Sequence, residues 1–475
     1  MIQIHIPSTQ NLVDKTDPTK TVTVYDIHVN GVFHASVRYS HLCALHEKLI
    51  ENFGFRLSGP DFPPKKIWRT LDAKAINDRR EGLARYFQGL IQINDVARHF
   101  LLERAFLEFQ VSSFNPTMQT VSVDIYLPDG RPVKLDVYAD DSTSVVMKKL
   151  CRIIRMDEKF ADSFGLFLCR EREQKSNGMT SKVLFDHVCV RWLKNFESPY
   201  ISQILVNRGL EEDSQFLKIL IRRVTWDPKT EEPLLDDPGA LKLLYLQALN
   251  DVQHNFIDMN PETKEDLARL SEQNDFRGFM EICHKLPSYG FEVLDSLISD
   301  YPSEGTKCCF KVGRRMIVLQ YVHEGRLTQA LLKSTRIRTW KISHTDGTKK
   351  PQMTFQIEYV LGSGVDLMTF QTNQAVLVSL FLQSIADEIL RDCRSESPTY
   401  KFDDSIQTKV ISNIKAKSNS TINESSVNGK DNTSETSSVG ESSSNFAKIN
   451  PLLQIISYQM PFENENFDFV TDDDL

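Results

Sequence analysis

The 475-residue sequence has no long apolar run and no cysteine pair at metal-binding or redox spacing. A membrane-spanning helix needs about eighteen consecutive apolar residues, and a signal peptide needs an apolar stretch after a basic start, so we expect neither. The eight cysteines are scattered, with no CxxC pair and no zinc-finger histidine spacing. We therefore expect reduced core thiols in a cytosolic protein, with no metal and no other cofactor.

The motifs of common catalytic chemistry are also missing. The sequence has no GxxxxGK[ST] loop, no kinase HRD and DFG set, no HExxH, no GxSxG and no Cys-x5-Arg loop. Cys308-Cys309 lies in a strand-like run with no adjacent base. These absences argue against an enzyme.

Charge is divided unevenly along the chain. The formal net charge is −8, of which −7 falls in Glu396–Leu475, with 13 acidic and 6 basic side chains. The rest is close to neutral and has no basic face of domain size, which argues against nucleic-acid binding. Basic density is local, since Phe62–Arg85 holds seven Lys or Arg against three Asp or Glu.

The N-terminal region predicts an α+β domain. Period-two alternation and helical spacing predict strands at Thr21–Val29 and Gly31–Tyr39, then helices at Ser40–Phe53, Asp72–Leu90 and Asp95–Phe109. Arg38-Tyr39-Ser40 ends a strand at a helix N-terminus, where free backbone donors favour an anion. Lys65 follows a proline segment, and Arg79 lies on the next helix. Cations for phosphates and a flat ring for an inositol are what a phosphoinositide headgroup needs.

Three further patterns follow. A strand, an Asp-Gly turn and a strand near Thr120, followed by the helix Ser142–Ile154 and later strands, indicate a ubiquitin-like plan. From Pro238 to about Leu297 the pattern is all helical. From Cys308 to Leu390, strands closed by one helix are typical of a pleckstrin or phosphotyrosine-binding half barrel. Beyond Glu396, Ser412–Ser444 is too polar to repay its ordering entropy, so we expect disorder there.

The motifs VRYSHL, FPPKK and DRREGLARYFQGL resemble a PX domain. The resemblance implies that Arg38 holds a 3-phosphate, with Ser40 as an added donor, and that Tyr39 packs on the inositol. It also implies that Lys65 meets the 1-phosphate and Arg79 the ring hydroxyls, so the expected lipid is phosphatidylinositol 3-phosphate on early endosomes. Many PX domains carry two arginines before this tyrosine and this chain has one, which weakens any expectation of further phosphate recognition.

Ile67 and Trp68 form an apolar pair in a basic loop. One interpretation is insertion into the lipid interface, where tryptophan is favoured, and the other is that Trp68 belongs to the core.

The three later patterns, in that order, resemble a FERM domain, so the whole chain resembles the PX-FERM sorting nexin family. The implied fold class is an α+β multidomain chain with a disordered C-terminal tail. The implied boundaries are 1–112 for the PX domain, 116–224 for a ubiquitin-like lobe, 225–303 for a helical lobe, 304–394 for a PTB/PH-like lobe and 395–475 for the tail.

Family resemblance further implies that the third lobe binds NPxY or NxxY motifs of receptor tails, added as a strand in a groove between its last strand and closing helix. The expected cargo-binding residues are Trp340, Met368 and Phe370 on an edge strand, with Ala386 and Leu390 on the helix. The family has larger apolar groups at the two helix positions, so Ala386 predicts a roomier or weaker pocket. The alternative for Trp340 is a core tryptophan.

The end of the tail has its own motif. Asn466-Phe467-Asp468-Phe469 is an Asn-x-x-Phe sequence on a long tether, and Asp474-Leu475 ends the chain. We expect either competition with cargo in cis or recognition by a recycling complex, which by resemblance is Commander/Retriever; a chance match is the third interpretation.

The resemblance thus implies an adaptor that returns receptors from endosomes to the cell surface and away from lysosomes. The alternative is a FERM-type membrane–cytoskeleton or signalling scaffold, although the acidic tail lacks the basic actin-binding helix of such proteins.

Overall fold

The computed structural model describes residues 3–14, 17–57, 61–65, 72–172, 186–210, 215–345, 352–362, 364–396 and 456–459. The chain divides into two units, one comprising Met1–Ile385 with Ile455–Leu475 and the other Ala386–Gln454. Of the second unit, the described residues are the C-terminal part of one helix.

The N-terminal domain is a small antiparallel sheet covered by helices. Its strands are β1 (Ile4–Val13), β2 (Thr21–Val29) and β3 (Val32–Arg38), in the order β1-β2-β3. Its helices are α1 (Tyr39–Phe53), α2 (Ala73–Leu90), α3 (Asn94–Ala97) and α4 (Phe100–Phe114). The hairpin residues Asn30 and Gly31 have φ of 51° and 79°, the left-handed values that such a turn requires.

The lobe after the N-terminal domain has the ubiquitin-like plan that the sequence predicted. Its elements are β4 (Thr120–Tyr126), β5 (Pro132–Tyr138), α5 (Thr143–Ile154), β6 (Phe164–Glu171), β7 (His187–Leu193), α6 (Pro199–Arg208) and β8 (Lys218–Arg223). The sheet order is β5-β4-β8-β6-β7, with β4 and β8 parallel and the other pairs antiparallel. Buried side chains on one face of this sheet, such as Leu135 and Ile219, pack on α5.

The helical lobe shares one hydrophobic core with the ubiquitin-like lobe. Its helices are α7 (Pro228–Glu231), α8 (Pro238–Gln253), α9 (Pro261–Glu272) and α10 (Phe276–Lys285). Leu244 of α8 and Phe279 of α10, each about 1% exposed, belong to the same apolar cluster as Ile219. The two lobes are therefore stabilised by one continuous core.

The third lobe is an antiparallel sheet followed by a long helix. The strands are β9 (Phe291–Val293), β10 (Leu297–Ser299), β11 (Thr306–Gly313), β12 (Met316–His323), β13 (Arg326–Lys333), β14 (Ile337–Thr345), β15 (Gln352–Leu361), β16 (Gly364–Gln371) and β17 (Ile456–Gln459). They run in the order β13-β12-β11-β10-β16-β15-β14-β17, and β9 pairs with β11. The closing helix is α11 (Ala375–Glu396).

Two sequence predictions are corrected by this topology. The last strand of the lobe before α11, β16, is not an edge strand, because β10 pairs with it at Ser299 and Phe370. The predicted helix Asp95–Phe109 is interrupted at His99, whose side chain accepts a hydrogen bond from the backbone N–H of Leu101 and starts α4 anew.

The structure describes four residues of the tail, which form a strand. The segment predicted to be disordered, Ser412–Ser444, lies outside the described residues. Ile456–Gln459, within the stretch predicted as a disordered tail, forms β17 and pairs antiparallel with β14. Two of the four, Ile456 and Tyr458, are among the few large apolar residues of the tail.

Candidate functional site

The first candidate site lies where β3 meets α1, as the sequence predicted. Arg38 is the last residue of β3 and the N-cap of α1, and its extended backbone (φ −71°, ψ 146°) turns the chain into the helix. Its side chain makes no capping hydrogen bond, so the first backbone donors of α1 are available to an anion. Ser40, in the first turn, is exposed.

Tyr39 is held in place from two sides. Its hydroxyl donates to the carbonyl oxygen of Pro63 at 2.7 Å, and the guanidinium of Arg79 lies 4.2 Å from its ring centre. Burial raises the pKa of the Tyr39 hydroxyl above its ordinary value, so this group stays a donor. Arg79 is itself only 9% exposed, and the ring and the cation form one fixed platform.

The proline segment approaches α2 very closely. A Cβ added at Gly82 would stand 2.7 Å from Cγ of Pro63, so a larger residue there would push away the segment that anchors Tyr39. The motif reasoning did not single out Gly82, although a glycine inside a helix is a signal of close packing.

The remaining residues predicted for the lipid site are Lys65, Ile67 and Trp68. Lys65 is exposed after the proline segment, as expected of a group that meets a phosphate from solvent. Ile67 and Trp68, predicted to enter the membrane interface, lie outside the described residues.

A carboxylate that the sequence analysis did not notice contacts this site. Asp14, directly after β1, accepts a hydrogen bond from Nη1 of Arg38 through Oδ2 at 3.2 Å. Residues Asp14 and Arg38 are 24 positions apart, and no spacing rule would have brought them together.

A buried arginine that is ion-paired within the ubiquitin-like lobe also hydrogen-bonds to the N-terminal domain. Arg191 of β7 donates to Glu197 at 2.5 Å and to the carbonyl oxygens of Val29 and Asn30, at 3.2 and 3.4 Å. Burial alone would raise the pKa of Glu197, but Arg191 and His34 outweigh it and hold that pKa below its ordinary value. The guanidinium of Arg191 thus bonds to a carboxylate in its own lobe and to backbone oxygens of the neighbouring domain.

The second candidate site is the edge of β14 in the third lobe, which the tail strand β17 occupies. β14 pairs with β15 on one side, and on the other side Thr339, Trp340, Lys341 and Ile342 pair with β17. In the structure, the segment from the tail adds to β14, whereas the sequence predicted addition beside the last strand, β16, which lies between β10 and β15. Trp340 is 3% exposed and donates from Nε1 to the hydroxyl of Ser379 on α11 at 2.8 Å, which fixes β14 against the helix.

The other predicted cargo-binding residues are buried or half-buried. Met368 and Phe370 on β16 are 4% and 0% exposed, and Phe370 makes an edge contact with Phe310 at 5.3 Å between ring centres. Packing of this kind assigns Phe370 to the core of the lobe. On α11, Ala386 is buried and Leu390 is half-buried. The tail motif residues Asn466, Phe467, Phe469, Asp474 and Leu475 lie outside the described residues.

The fold and the two sites define the class of this protein: a PX-type domain joined to a FERM module of three lobes. Family models agree segment by segment. The PX domain model matches residues 25–110, and the F1 lobe of the FERM domain of sorting nexins 17, 27 and 31 matches residues 121–226. The F2 lobe of sorting nexins 17 and 31 matches residues 227–286, and the C-terminal FERM domain of sorting nexin 17 matches residues 290–390.

Curated relatives extend over most of the chain. Sorting nexin-17 of Danio rerio is 28% identical over 400 residues, covering 81% of this chain and 80% of the relative. Sorting nexin-17 of Homo sapiens is 27% identical and covers 77% of each, and sorting nexin-31 of Mus musculus is 25% identical and covers 80% and 84%. The chain belongs to the PX-FERM sorting nexin family. It is an endosomal sorting adaptor whose PX domain binds phosphoinositides.

Solved structures with local similarity are FERM and PX domains. The complex of the FERM and C-terminal domains of Drosophila Merlin has a TM-score of 0.39 at 14% identity, covering 58% of this chain and 99% of that one. A designed CISK-PX domain has a TM-score of 0.19 at 26% identity, covering 21% and 93%. Among the helices that the structure describes, none is long and apolar enough to span a bilayer.

Proposed function

We propose that the chain carries receptors from early endosomes back to the cell surface, and so away from lysosomal degradation. Its PX site would bind phosphatidylinositol 3-phosphate, and the β14 edge would bind NPxY or NxxY motifs of receptor tails. The observation that carries the peptide half of this proposal is the strand β17, because an extended segment is seen to add antiparallel to that edge.

The lipid half is supported by the platform at the start of α1. A phosphate above Arg38 and Ser40 would meet open backbone donors and the positive end of the helix dipole. The inositol would lie against the Tyr39 ring, which Arg79 and Pro63 already hold in place, so little ordering is needed on binding. Lys65, exposed two residues after Pro63, would take the phosphate that links the inositol to the lipid.

The tail has two roles in this proposal. Occupation of the β14 edge by Ile456–Gln459 supports competition with cargo in cis, through a segment ten residues upstream of the predicted Asn466-x-x-Phe469 motif. The acidic end with Leu475 would recruit a recycling complex of the Commander/Retriever type. A partner that binds the tail would then also free the edge for cargo.

The test is a pair of titrations on the full-length chain. Sedimentation with liposomes, with and without phosphatidylinositol 3-phosphate, measures the lipid site in the wild type and in Arg38→Ala. Calorimetry with an NPxY receptor-tail peptide measures the edge in the wild type and in Trp340→Ala. We expect each variant to lose one ligand and keep the other, and the ligand that is kept shows that the variant is folded.

Two other outcomes would redirect the proposal. If neither ligand binds the wild type nor a chain with the β17 pairing broken, the adaptor mechanism fails and the FERM scaffold is the better interpretation. If Arg38→Ala binds liposomes as well as the wild type does, the lipid lies elsewhere than at the start of α1.

A further inference from the structure

The strand order of the third lobe begins at an exposed strand, β13. Within the described residues, β13 pairs with β12 and with no other strand. Leu327 and Leu331, on one face of β13, are 75% and 55% exposed, and Val322, which pairs with Leu327, is 67% exposed. An open strand edge beside exposed aliphatic side chains is a surface that a further strand can extend.

The strands that lead to this edge are basic. β11, β12 and β13 carry Lys307, Lys311, Arg326 and Lys333 and no Asp or Glu. Glu324, in the turn between β12 and β13, offsets one of these charges. The backbone N–H of Lys333 donates to the hydroxyl of Tyr359 at 3.1 Å, so a further strand would add beside residues 326–332. The net positive charge favours an acidic strand at this position.

The C-terminal segment of the same chain has the matching composition. Residues 463–475 contain six Asp or Glu and no Lys or Arg. Within this segment Phe467 and Phe469 alternate with Asp468, which is the period-two pattern of a strand with one apolar face. Such a strand, apolar at its centre and acidic toward its ends, complements the exposed leucines and the cations of β13.

The direction of β17 leads this segment toward β13. β17 runs antiparallel to β14, with Gln459 opposite Thr339, so the chain leaves β17 in the direction of the start of β14. β13 ends at Lys333, and the short turn of residues 334–336 joins it to β14. A chain that continues past β17 therefore meets the C-terminal end of β13 first, and can follow that strand in the antiparallel sense.

The length of the chain also fits. Eight residues lead from Gln459 to Phe467, and eight lead back from Thr339 to Leu331. Since both paths have the same number of residues, at up to about 3.5 Å each, Phe467 can reach a position opposite Leu331. The same spacing brings Asp472 opposite Arg326, which is exposed. One alignment thus places an apolar residue on an apolar residue and an acid on a base.

We propose that the β13 edge is a docking surface for the chain's own residues 463–472, which add to it as an antiparallel strand. β17 and this second segment would then cover both ends of the strand order of the lobe. The inference goes beyond the proposed function, because this surface takes neither the lipid nor the receptor peptide. Its consequence is that the acidic end of the tail is held against the lobe, and a partner reaches it only when the segment detaches.

Hydrogen exchange read by mass spectrometry on the full-length chain tests the inference. The test variant carries Leu327→Glu and Leu331→Glu, which set like charge against the acidic segment. The matched control carries Val365→Glu and Leu367→Glu on β16, whose side chains are 47% and 50% exposed. All four substitutions are at exposed positions, and an unchanged melting temperature shows that each variant is folded.

We expect the amides of residues 465–471 to exchange about tenfold faster in the test variant than in the wild type, and at the wild-type rate in the control. Amides of β13 should lose protection in a chain that ends at Phe462. Equal exchange of the segment in the wild type and the test variant overturns the inference, and so does unchanged exchange of β13 in the shortened chain.

The dependence on protein concentration separates two occupants of the edge. Protection that stays constant on dilution supports docking within one chain. Protection that rises with concentration, together with a dimer in sedimentation velocity, overturns the inference, because the segment would then bind a second copy. No lipid and no receptor peptide is present in these measurements, so their failure leaves the proposed function standing.

Discussion

Breaking the β17 pairing should strengthen binding of receptor peptides. Replacing Ser457 and Tyr458 together with proline removes two backbone donors from a four-residue strand and fixes φ at values that disfavour the ladder. These positions pair with Lys341 and Trp340, at the centre of the contact. The change leaves every residue of β14 intact.

The expected change in peptide affinity follows from the number of residue pairs between β17 and β14 and from the length of chain that connects β17 to α11. Four cross-strand pairs at roughly 0.2–1 kcal/mol each contribute about 1–4 kcal/mol. Residues 397–455 separate α11 from β17 in the sequence, and a tether of that length, disordered as the sequence predicts, would hold its end at an effective concentration of the order of 1 mM. A net closing free energy of about 1.4 kcal/mol, within this range, would raise the apparent Kd of a competing peptide about tenfold.

Calorimetry with an NPxY receptor-tail peptide measures the effect, and the double substitution Ser442→Pro with Ser443→Pro in the same tail is the matched control. We expect the Kd to fall about tenfold in the first variant and to stay constant in the second. Hydrogen exchange adds a direct readout, since amides of Ile337–Thr345 that pair with β17 should lose protection. An unchanged Kd together with unchanged exchange would refute the idea that the tail competes for this edge.

Two further predictions concern buried titratable groups. Burial holds the pKa of His34 at about 4, so the folded protein keeps it neutral while the unfolded chain takes up a proton near pH 6.5. Stability should therefore fall as pH drops from about 6.5 to 4, by up to ~3 kcal/mol, and His34→Gln should remove that slope in urea unfolding. Burial raises the pKa of Asp251 to about 7, and its contact with Arg222 is a distant 4.0 Å, so stability attributable to this group is lost as pH rises from about 4 to 7. Asp251→Asn should leave the free energy of unfolding at pH 8 unchanged or increase it. Glu292→Gln, which breaks a 2.8 Å pair with the same arginine, should lower that free energy by about 3–5 kcal/mol. Equal effects of the two substitutions would contradict the assignment of Glu292 as the partner of Arg222.

Local patterns made much of the fold predictable. The strand Thr21–Val29 was located to the residue because its alternation is regular and Asn30-Gly31 marks the turn. Asp72 and Ser142 cap their helices through side-chain oxygens, so the starts of α2 and α5 were visible in the sequence. Such features depend on neighbours along the chain, which is the information that one sequence contains.

The elements that were missed depend on distant partners. The register of β1 shifts between His5 and Ser8, which breaks its alternation, and β7 is buried on both faces and shows none. β16 was assigned to an edge because β10, some seventy residues earlier, could not be foreseen as its neighbour.

The residues of the candidate sites also fall into two groups: those predictable from sequence neighbours and those that only the folded chain brings to their partners. Arg38 and Tyr39 were found because a strand end and a helix start are adjacent in sequence, and their structural setting is as predicted. Their roles in lipid binding stay predictions. Asp14, Pro63 and the β17 segment reach their partners only through the folded chain, so no motif could reveal them.

The ion pair between Arg191 and Glu197 has a mechanical consequence. Since Arg191 also donates to the carbonyl oxygens of Val29 and Asn30 at the β2–β3 hairpin, the PX domain cannot pivot on the ubiquitin-like lobe without breaking hydrogen bonds from a buried charged group. A PX domain bound to a membrane would thus keep a fixed orientation relative to the ubiquitin-like lobe. The angle between the PX domain and the bilayer would then determine the direction from which a receptor tail must approach the β14 edge.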